Sequence, residues 1–383
     1  MFSFVAVLLF FIIGNSEAGP YPRDSVDRLQ DIGLENLESH LARLPRASGC
    51  SLDTAIKRKE WSSLTIDERL NYINATKCLA QKPPRYSMDE VPGTRSRYDD
   101  FVATHIQQTS SIHFTAKFLS WHRYYVFAYE QALRDECGYR GYQPITDAEK
   151  YEHWPYYSSD PRNSPIFNGN DSSMSGDGAK VAHNGIPFGN ITIPPANGGG
   201  CLLGGPFKDF EAHLGPVASR LKDVPLNPRK DGLGYNPRCL RRDINPESSK
   251  FTSETYTYDL ITENKDIHSF QTLMQGDMQR SNPGVHGGGH TTIGGDPGGD
   301  LFNSPADPVF WLHHAMIDRT WWIWQLQDLD SRLTAVSGTT NMKDPTAPNG
   351  TLTDDIDLSV NAPKMKLGDL LDTMNGPFCY VYV

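Results

Sequence analysis

Apolar residues recur at helical spacing along most of the chain, and loop-forming residues interrupt this pattern near the middle. An apolar position every three or four residues indicates a helix with one buried face. The pattern predicts helices over 24–44, 65–79, 98–107, 116–135, 207–221, 259–276 and 307–327. Glycine, proline, asparagine and serine dominate 154–206, and 282–300 is rich in glycine. Neither break separates two cores, so we expect one mainly α domain with long irregular loops.

Three predicted helix ends carry specific signals. Thr65 with Glu68 three residues later forms a capping box at the start of one helix. Asp307 followed by Pro308 is typical of an N-cap and first helical position. Gly138 indicates a C-terminal stop. The helix that begins at Pro308 has the strongest pattern in the chain.

The first residues are typical of a targeting segment. Residues 4–13 (FVAVLLFFII) form an unbroken apolar run, and small residues at Ser16 and Ala18 predict cleavage before Gly19. The run is too short to span a bilayer, although no Lys or Arg precedes it. We interpret 1–18 as a signal peptide rather than a buried strand. The mature domain is then 19–383, secreted and without membrane attachment.

Composition narrows the class of partner. The 383 residues are 38% hydrophobic and 11% aromatic, which is typical of a globular protein. The formal net charge of -10 argues against nucleic acid or an anionic membrane as a main partner. A small neutral substrate is unaffected by this charge. The sequence gives no indication of oligomeric state.

The cysteines and sequons agree with export. Six cysteines are scattered singly, which suggests up to three disulfides among fifteen possible pairings. Ligation of a metal by these thiolates is the competing interpretation, and their single spacing argues against it. Four sequons, at Asn74, Asn170, Asn190 and Asn349, permit N-glycans.

Seven of the twelve histidines fall into two clusters. His105, His113 and His122 are predicted on a short helix, in the following loop and inside a long helix. Neutral imidazole is the commonest protein ligand for copper and zinc, so three residues brought together from separate elements indicate a metal site.

The second cluster contains His286, His290 and the pair His313-His314. His286 and His290 stand four residues apart, so a helical turn places both on one face. His314 shares the apolar stripe of its helix with Phe310 and Trp321, which predicts that it points inward. His313 is rotated by about 100°, and we expect it to support the site without binding metal. Asp318, one turn after His314, is predicted to orient an imidazole N–H.

Other metals fit these residues less well. His286-x3-His290 is similar to a zinc protease helix, but three glycines fill the gap and the Glu base is missing. An all-imidazole ligand set suits copper better than magnesium, manganese or non-haem iron. Ordinary core or surface histidines are the alternative for any one residue, and two triads argue against it.

Two segments resemble the copper signatures of the tyrosinase and catechol oxidase family, especially its short fungal members. They are FLSWHRYYVFAYEQAL (118–133) and DPVFWLHHAMIDRTW (307–321). Trp61 and Leu64, Trp154-Pro155-Tyr156-Tyr157 and Tyr380-Val381-Tyr382 also look like family landmarks. The resemblance covers most of the mature chain. It implies a four-helix bundle with two copper ions, one held by His105, His113 and His122, the other by His286, His290 and His314.

The resemblance also implies an activity. Members use dioxygen as co-substrate to oxidise small phenols to o-quinones. Many members that hydroxylate monophenols carry Asn directly after the first histidine of the second triad, with a nearby Glu that holds a water. Here Gly287 takes the Asn position, and no Glu lies between Glu263 and His286. Oxidation of o-diphenols is therefore the expected reaction, and ortho-hydroxylation stays open, with Asp277, Gln275 or Gln279 as candidate replacements for the Glu.

Four further expectations come from the family. Ser111 replaces the cysteine that some fungal relatives bond to the second histidine, so that thioether is absent. The Tyr-x-Tyr at 380–382 ends the chain, which predicts no C-terminal lid domain. Leu301 corresponds to the position that gates substrate entry. Phe310 and the nearby tryptophans at 311, 321, 322 and 324 are expected to form an apolar ring around the metals.

Four functions remain in competition on sequence. The first is a general copper phenol oxidase. The second is a tailoring enzyme of a secondary-metabolite pathway that acts on one phenol or tyrosyl peptide. A haemocyanin-like oxygen carrier shares the six histidines, but such carriers use extra domains to cover the site. A zinc hydrolase is the least favoured.

Overall fold

A computed structural model describes residues 25–43, 49–146 and 160–383. The expected signal peptide, 1–18, and the Trp154–Tyr157 landmark lie outside these ranges. Within them, no helix is both long and apolar enough to cross a membrane.

The described residues are mainly helical, as the sequence predicts. The helices are α1 (Ser25–Leu41), α2 (Ile66–Leu79), α3 (Arg97–Ile112), α4 (Phe118–Cys137), α5 (Pro246–Ser249), α6 (Glu254–Glu263), α7 (Ile267–Gln275), α8 (Gly284–Ile293), α9 (Val309–Leu326) and α10 (Leu329–Arg332). Short 3-10 turns join several of them, including Trp61–Ser63 and Ser304–Ala306.

The strands are short and pair two by two. They are β1 (Ile56–Arg58), β2 (Gly178–Lys180), β3 (Ile186–Phe188), β4 (Ile191–Ile193), β5 (Gly199–Leu202), β6 (Glu211–Ala212), β7 (Arg238–Cys239), β8 (Asp355–Ile356), β9 (Met365–Lys366) and β10 (Tyr380–Tyr382). β1 lies parallel to β10, with Ile56 opposite Tyr380. The pairs β2–β5, β3–β4, β6–β7 and β8–β9 are antiparallel and fasten the loops around the helices.

The helix ends follow local chemistry. Thr65 and Glu68 form the predicted capping box of α2. Gly138 ends α4 in the left-handed conformation, with φ of 66°. α3 begins with a second capping box, Ser96 with Asp99, and runs five residues past the predicted end at 107. Its inward face stays apolar and buried as far as Ile112, which explains the extra turn.

Two predicted helices differ from the structure. The helix expected over 207–221 is absent, and this segment forms turns and β6. Gly215, at φ of 68°, and Pro216 stand inside the segment and prevent a continuous helix. The helix expected over 259–276 is two helices, because Asp266 caps a new helix by accepting the N–H of Ser269.

Four helices form the bundle at the centre. α4 packs against α9, α9 against α8, and α3 against α4, with α2 and α7 supporting α4 and α8 from outside. α9 is buried along its whole length, and it carries four tryptophans at 311, 321, 322 and 324. This arrangement confirms the expected mainly α fold.

All six cysteines are paired. The disulfides join Cys50 to Cys379, Cys78 to Cys137 and Cys201 to Cys239. No free cysteine remains, so the thiolate-copper alternative is wrong. The first bridge lies beside the β1–β10 pair and ties the segment before β1 to the residue before β10.

Candidate metal centre

The first histidine triad comes from two adjacent helices. His105 lies in the middle of α3, His113 directly follows the end of α3, and His122 lies in α4. All three are at most 3% exposed. The ring centroid of His113 lies 5.0 Å from those of both His105 and His122. One nitrogen from each ring falls within 4.8 Å of the others, so the structure brings the predicted triad together.

Backbone carbonyls orient the rings of the first triad. Nδ1 of His105 lies 2.7 Å from the Phe302 carbonyl, and Nδ1 of His122 lies 2.7 Å from the Phe118 carbonyl. Because a carbonyl only accepts, Nδ1 must carry the proton and Nε2 keeps its lone pair. The Nε2 atoms of His105 and His122 are buried and have no hydrogen-bond partner among the described residues. Buried nitrogen lone pairs that point at one another fit a metal ion.

The Nε2 atoms of the second triad lie close together. His286 and His290 share one face of α8, and His314 projects from α9. Nε2 of His290 lies 3.2 Å from Nε2 of both His286 and His314. Nitrogens bound to a metal at about 2.0–2.1 Å with tetrahedral angles stand about 3.3 Å apart. The spacing of the three atoms therefore fits one metal ion between them.

His313 is close to the second triad but is used differently. Its Nε2 lies 3.0 Å from the carbonyl of His286 and donates its proton there. Its ring occupies the space beside Gly289, where an added Cβ would stand 2.1 Å from Cε1. Gly289 is therefore required for α8 and α9 to approach each other. His313 thus holds the backbone of α8 in place. One of its nitrogens lies within 4.8 Å of a nitrogen of each histidine of the second triad, although His313 is not part of that triad.

Burial keeps the imidazoles neutral. Burial lowers the pKa of His113 to about 4, and it lowers the pKa of the other five triad histidines well below the usual value. The neighbouring imidazoles add to this effect for those five, since a second positive charge is unfavourable in the same pocket. Neutral imidazole is the form that binds a metal.

The two triads face each other across one small space. The rings of His122 and His314 stack at 4.5 Å, and those of His113 and His286 lie 6.0 Å apart. Phe310 stacks on His314 at 4.1 Å and also lies 5.5 Å from His105. The structure thus places Phe310 between the triads, where it was expected to line the site.

Phe118 is a site residue that the sequence reasoning missed. Its ring lies 4.9 Å from that of His286 and 5.0 Å from that of His122, and it is fully buried. Its carbonyl also accepts the His122 proton. The available signal was its position four residues before His122, which places it one helical turn away.

The expected role of Asp318 is wrong. Its carboxylate does not contact an imidazole: it accepts from Nε of Arg123 at 2.6 Å and from the hydroxyls of Tyr380 and Tyr382. Arg58 lies 3.7 Å away and is itself paired with Glu130 at 2.9 Å. All of these groups are buried. Asp318 therefore ties α9 to α4 and to the C-terminal strand, and Nδ1 of His314 has no hydrogen-bond partner among the described residues.

Gly287 and Leu301 lie beside the triads. A Cβ added to Gly287 would stand 3.4 Å from the carbonyl of Gln275, which is ordinary contact, so a side chain fits there. Leu301 is half-buried and directly precedes Phe302, whose carbonyl holds His105. Of the candidates to replace the Glu, Gln275 has its side-chain oxygen occupied by the Phe114 N–H. Asp277 accepts from the backbone of Gln279 and Arg280. The gating role of Leu301 stays a prediction.

Comparisons with known proteins agree with this geometry. The model of the common central domain of tyrosinase matches residues 95–327. The tyrosinase-like protein orsC of Emericella nidulans is 41% identical over 315 residues, covering 77% of this chain and 81% of that protein. The N-acetyl-6-hydroxytryptophan oxidase ivoB of the same organism is 38% identical over 352 residues, covering 87% and 93%. A single-residue variant of a polyphenol oxidase from Thermothelomyces thermophila superimposes with a TM-score of 0.85 at 41% identity, covering 94% of this chain and 97% of that one.

Proposed function

Because the chain belongs to the tyrosinase family of dinuclear copper oxidoreductases, we propose that it oxidises o-diphenols to o-quinones with dioxygen. We assign one copper ion to His105, His113 and His122, and the other to His286, His290 and His314. The observation that carries the assignment is the convergence of the Nε2 atoms in each triad, 3.2 Å apart in the second.

When bound, the copper ions would supply the redox chemistry, in which dioxygen is reduced to water by the electrons of two diphenols. The protein supplies position and charge. Six neutral imidazoles leave the pair cationic, which favours binding of a phenolate oxygen. Phe118 and Phe310 place apolar rings against the imidazoles, which favours contact with an aromatic ring over contact with water.

The substrate is proposed to be a single phenol of a biosynthetic pathway. Support comes from the relatives: one is named as the oxidase of a hydroxylated, N-acetylated amino acid. Ortho-hydroxylation of monophenols is less favoured, since Gly287 lacks the Asn side chain and Gln275, a candidate replacement for the Glu, is engaged by the Phe114 N–H. We also propose export, since three disulfides form in oxidising compartments.

The test is copper loading followed by exposure to oxygen. We expect two copper ions per chain, a new near-ultraviolet absorption band on exposure to oxygen, and turnover of catechol. A fully loaded sample without the band contradicts the dicopper proposal. The band without turnover of any diphenol favours an oxygen carrier instead.

A second arm tests hydroxylation. Wild-type enzyme is expected to oxidise catechol and leave tyrosine unchanged, and Gly287→Asn is expected to gain tyrosine hydroxylation. Gly287→Ala is the matched control, because it adds a side chain at the same helical position without a polar group. Tyrosine hydroxylation by the wild type contradicts the role given to Gly287.

A further inference from the structure

Phe114 stands out among the residues around the metal centre. It directly follows His113, yet its side chain is 44% exposed while His113 is 1% exposed. Its φ is 52°, in the left-handed region that bulky side chains rarely adopt. An exposed apolar residue is common, but a bulky residue at positive φ is strained and such strain gathers at functional sites.

Gln275 holds Phe114 in this conformation. The N–H of Phe114 donates to Oε1 of Gln275 at 2.6 Å, and Gln275 is 4% exposed at the end of α7. Its Nε2 in turn donates to the Gln271 carbonyl at 3.3 Å. The buried amide therefore anchors the backbone directly after His113 to α7.

The same glutamine connects Phe114 to the second triad. The Gln275 carbonyl lies 3.4 Å from the position that a Cβ on Gly287 would take, and Gly287 follows His286. The turn between α7 and α8 is tightly packed, since a Cβ on Gly276 would stand 2.5 Å from the Pro283 carbonyl. Phe114 and Gly287 thus both lie against Gln275, the first at its side-chain amide and the second at its backbone carbonyl.

We propose that Phe114 is a specificity-determining residue that contacts the part of the substrate projecting out of the metal centre. This inference rests on the proposed phenol oxidase function. The oxidised ring must lie against the buried imidazoles, so the half-exposed phenyl ring can reach only what protrudes. Among the described residues Phe114 makes no ring–ring contact, and its exposure leaves the ring free to stack on an aromatic group. The preferred substrates are phenols that carry a second aromatic group.

The experiment measures binding to the copper-loaded enzyme by calorimetry, without turnover. Benzoate serves as the short probe and biphenyl-4-carboxylate as the extended one. Phe114→Gly removes the ring while relieving the positive φ, so folding is preserved. We expect the Kd of the extended probe to rise about 3- to 10-fold, the range of one aromatic contact, and that of benzoate to change less than about twofold.

Three variants make the result specific. Phe114→Tyr is expected to keep the preference for the extended probe. Gln275→Leu is expected to reduce it, because the strained backbone loses its anchor. Ser359→Gly, which relieves a φ of 51° elsewhere in the fold, is expected to leave both affinities unchanged.

Two results would overturn the inference. In the first, Phe114→Gly weakens both probes equally or neither of them, which makes Phe114 a merely structural residue while the proposed function stands. In the second, wild-type enzyme binds neither probe, which counts against the phenol site itself and so against both proposals.

Discussion

Replacing Asp318 by Asn tests whether its carboxylate ties the bundle together. The buried group around it holds two positive charges, Arg58 and Arg123, and two negative charges, Glu130 and Asp318. Asp318→Asn leaves the size unchanged but turns a net charge of zero into +1 inside the protein. Removing one partner of a buried ion pair costs about 3–5 kcal/mol, because the remaining charge has lost its solvation and its partner. We expect a loss of this size in the free energy of unfolding.

Urea titration of the copper-loaded enzyme measures this loss, with the slope of the transition checked for a change in mechanism. Asp355→Asn is the matched control, since Asp355 pairs with Lys366 on the surface, and a much smaller loss is expected. The double variant Asp318→Asn with Arg123→Met removes the excess charge and should recover part of the loss. A loss under about 1 kcal/mol for Asp318→Asn, or normal stability with reduced copper affinity, would refute the role assigned to Asp318 and favour orientation of an imidazole.

Three further predictions follow from the site and its supports. His290→Ala should reduce bound copper from two ions to one by elemental analysis, whereas His313→Ala should keep both; a single ion in the latter would show that His313 is a ligand. Gly287→Ala should raise the free energy of unfolding by up to about 1 kcal/mol, since alanine favours helix. Gly289→Ala should lower the free energy of unfolding, because the added Cβ meets the His313 ring. Equal effects of the two substitutions in thermal unfolding would contradict this difference. Burial alone would lower the pKa of His213, but its hydrogen bond to Asp99 at 2.9 Å and the charge of Asp99 raise it. The stabilisation by the His213–Asp99 pair is therefore full below about pH 6.5, the unfolded pKa, and is lost as pH rises through the folded pKa. The loss of stability caused by His213→Gln in thermal unfolding should therefore be larger at about pH 5.5 than at about pH 9. A loss that does not change with pH would exclude this linkage.

The sequence predicted helix ends correctly where the end depends on contacts between residues close in the sequence. The capping box at Thr65 and the stop at Gly138 depend on neighbours in the sequence, and both occur as expected. The helix expected over 207–221 fails for the same kind of reason, because Gly215 and Pro216 outweigh the apolar spacing. Both breakers are visible in the sequence, and each acts on the backbone whatever the apolar spacing.

The histidines of the site were recognisable, but their supports were not. The spacing of His286 and His290 already places both on one helical face. The groups that orient the rings of the first triad are backbone carbonyls such as that of Phe302, which comes from a loop 197 residues after His105. A carbonyl is present at every residue, so no sequence pattern can indicate which one is used.

The long-range partners of Asp318 were hidden for a related reason. Its position one turn after His314 suggested a histidine partner, whereas its actual partners come from α4 and the C-terminal strand. The disulfide pairing likewise depends on which loops meet in space, as for Cys50 and Cys379, which are 329 residues apart.

The three disulfides also bear on how long the enzyme would survive the proposed oxidation of diphenols to o-quinones. An o-quinone is an electrophile, and a cysteine thiolate adds to it readily and irreversibly. Because every cysteine of this chain is held in a disulfide, the fold presents no thiolate to a quinone that leaves the metal centre. The bridges therefore act as chemical protection as well as cross-links, and partial reduction should turn the product into an inactivator.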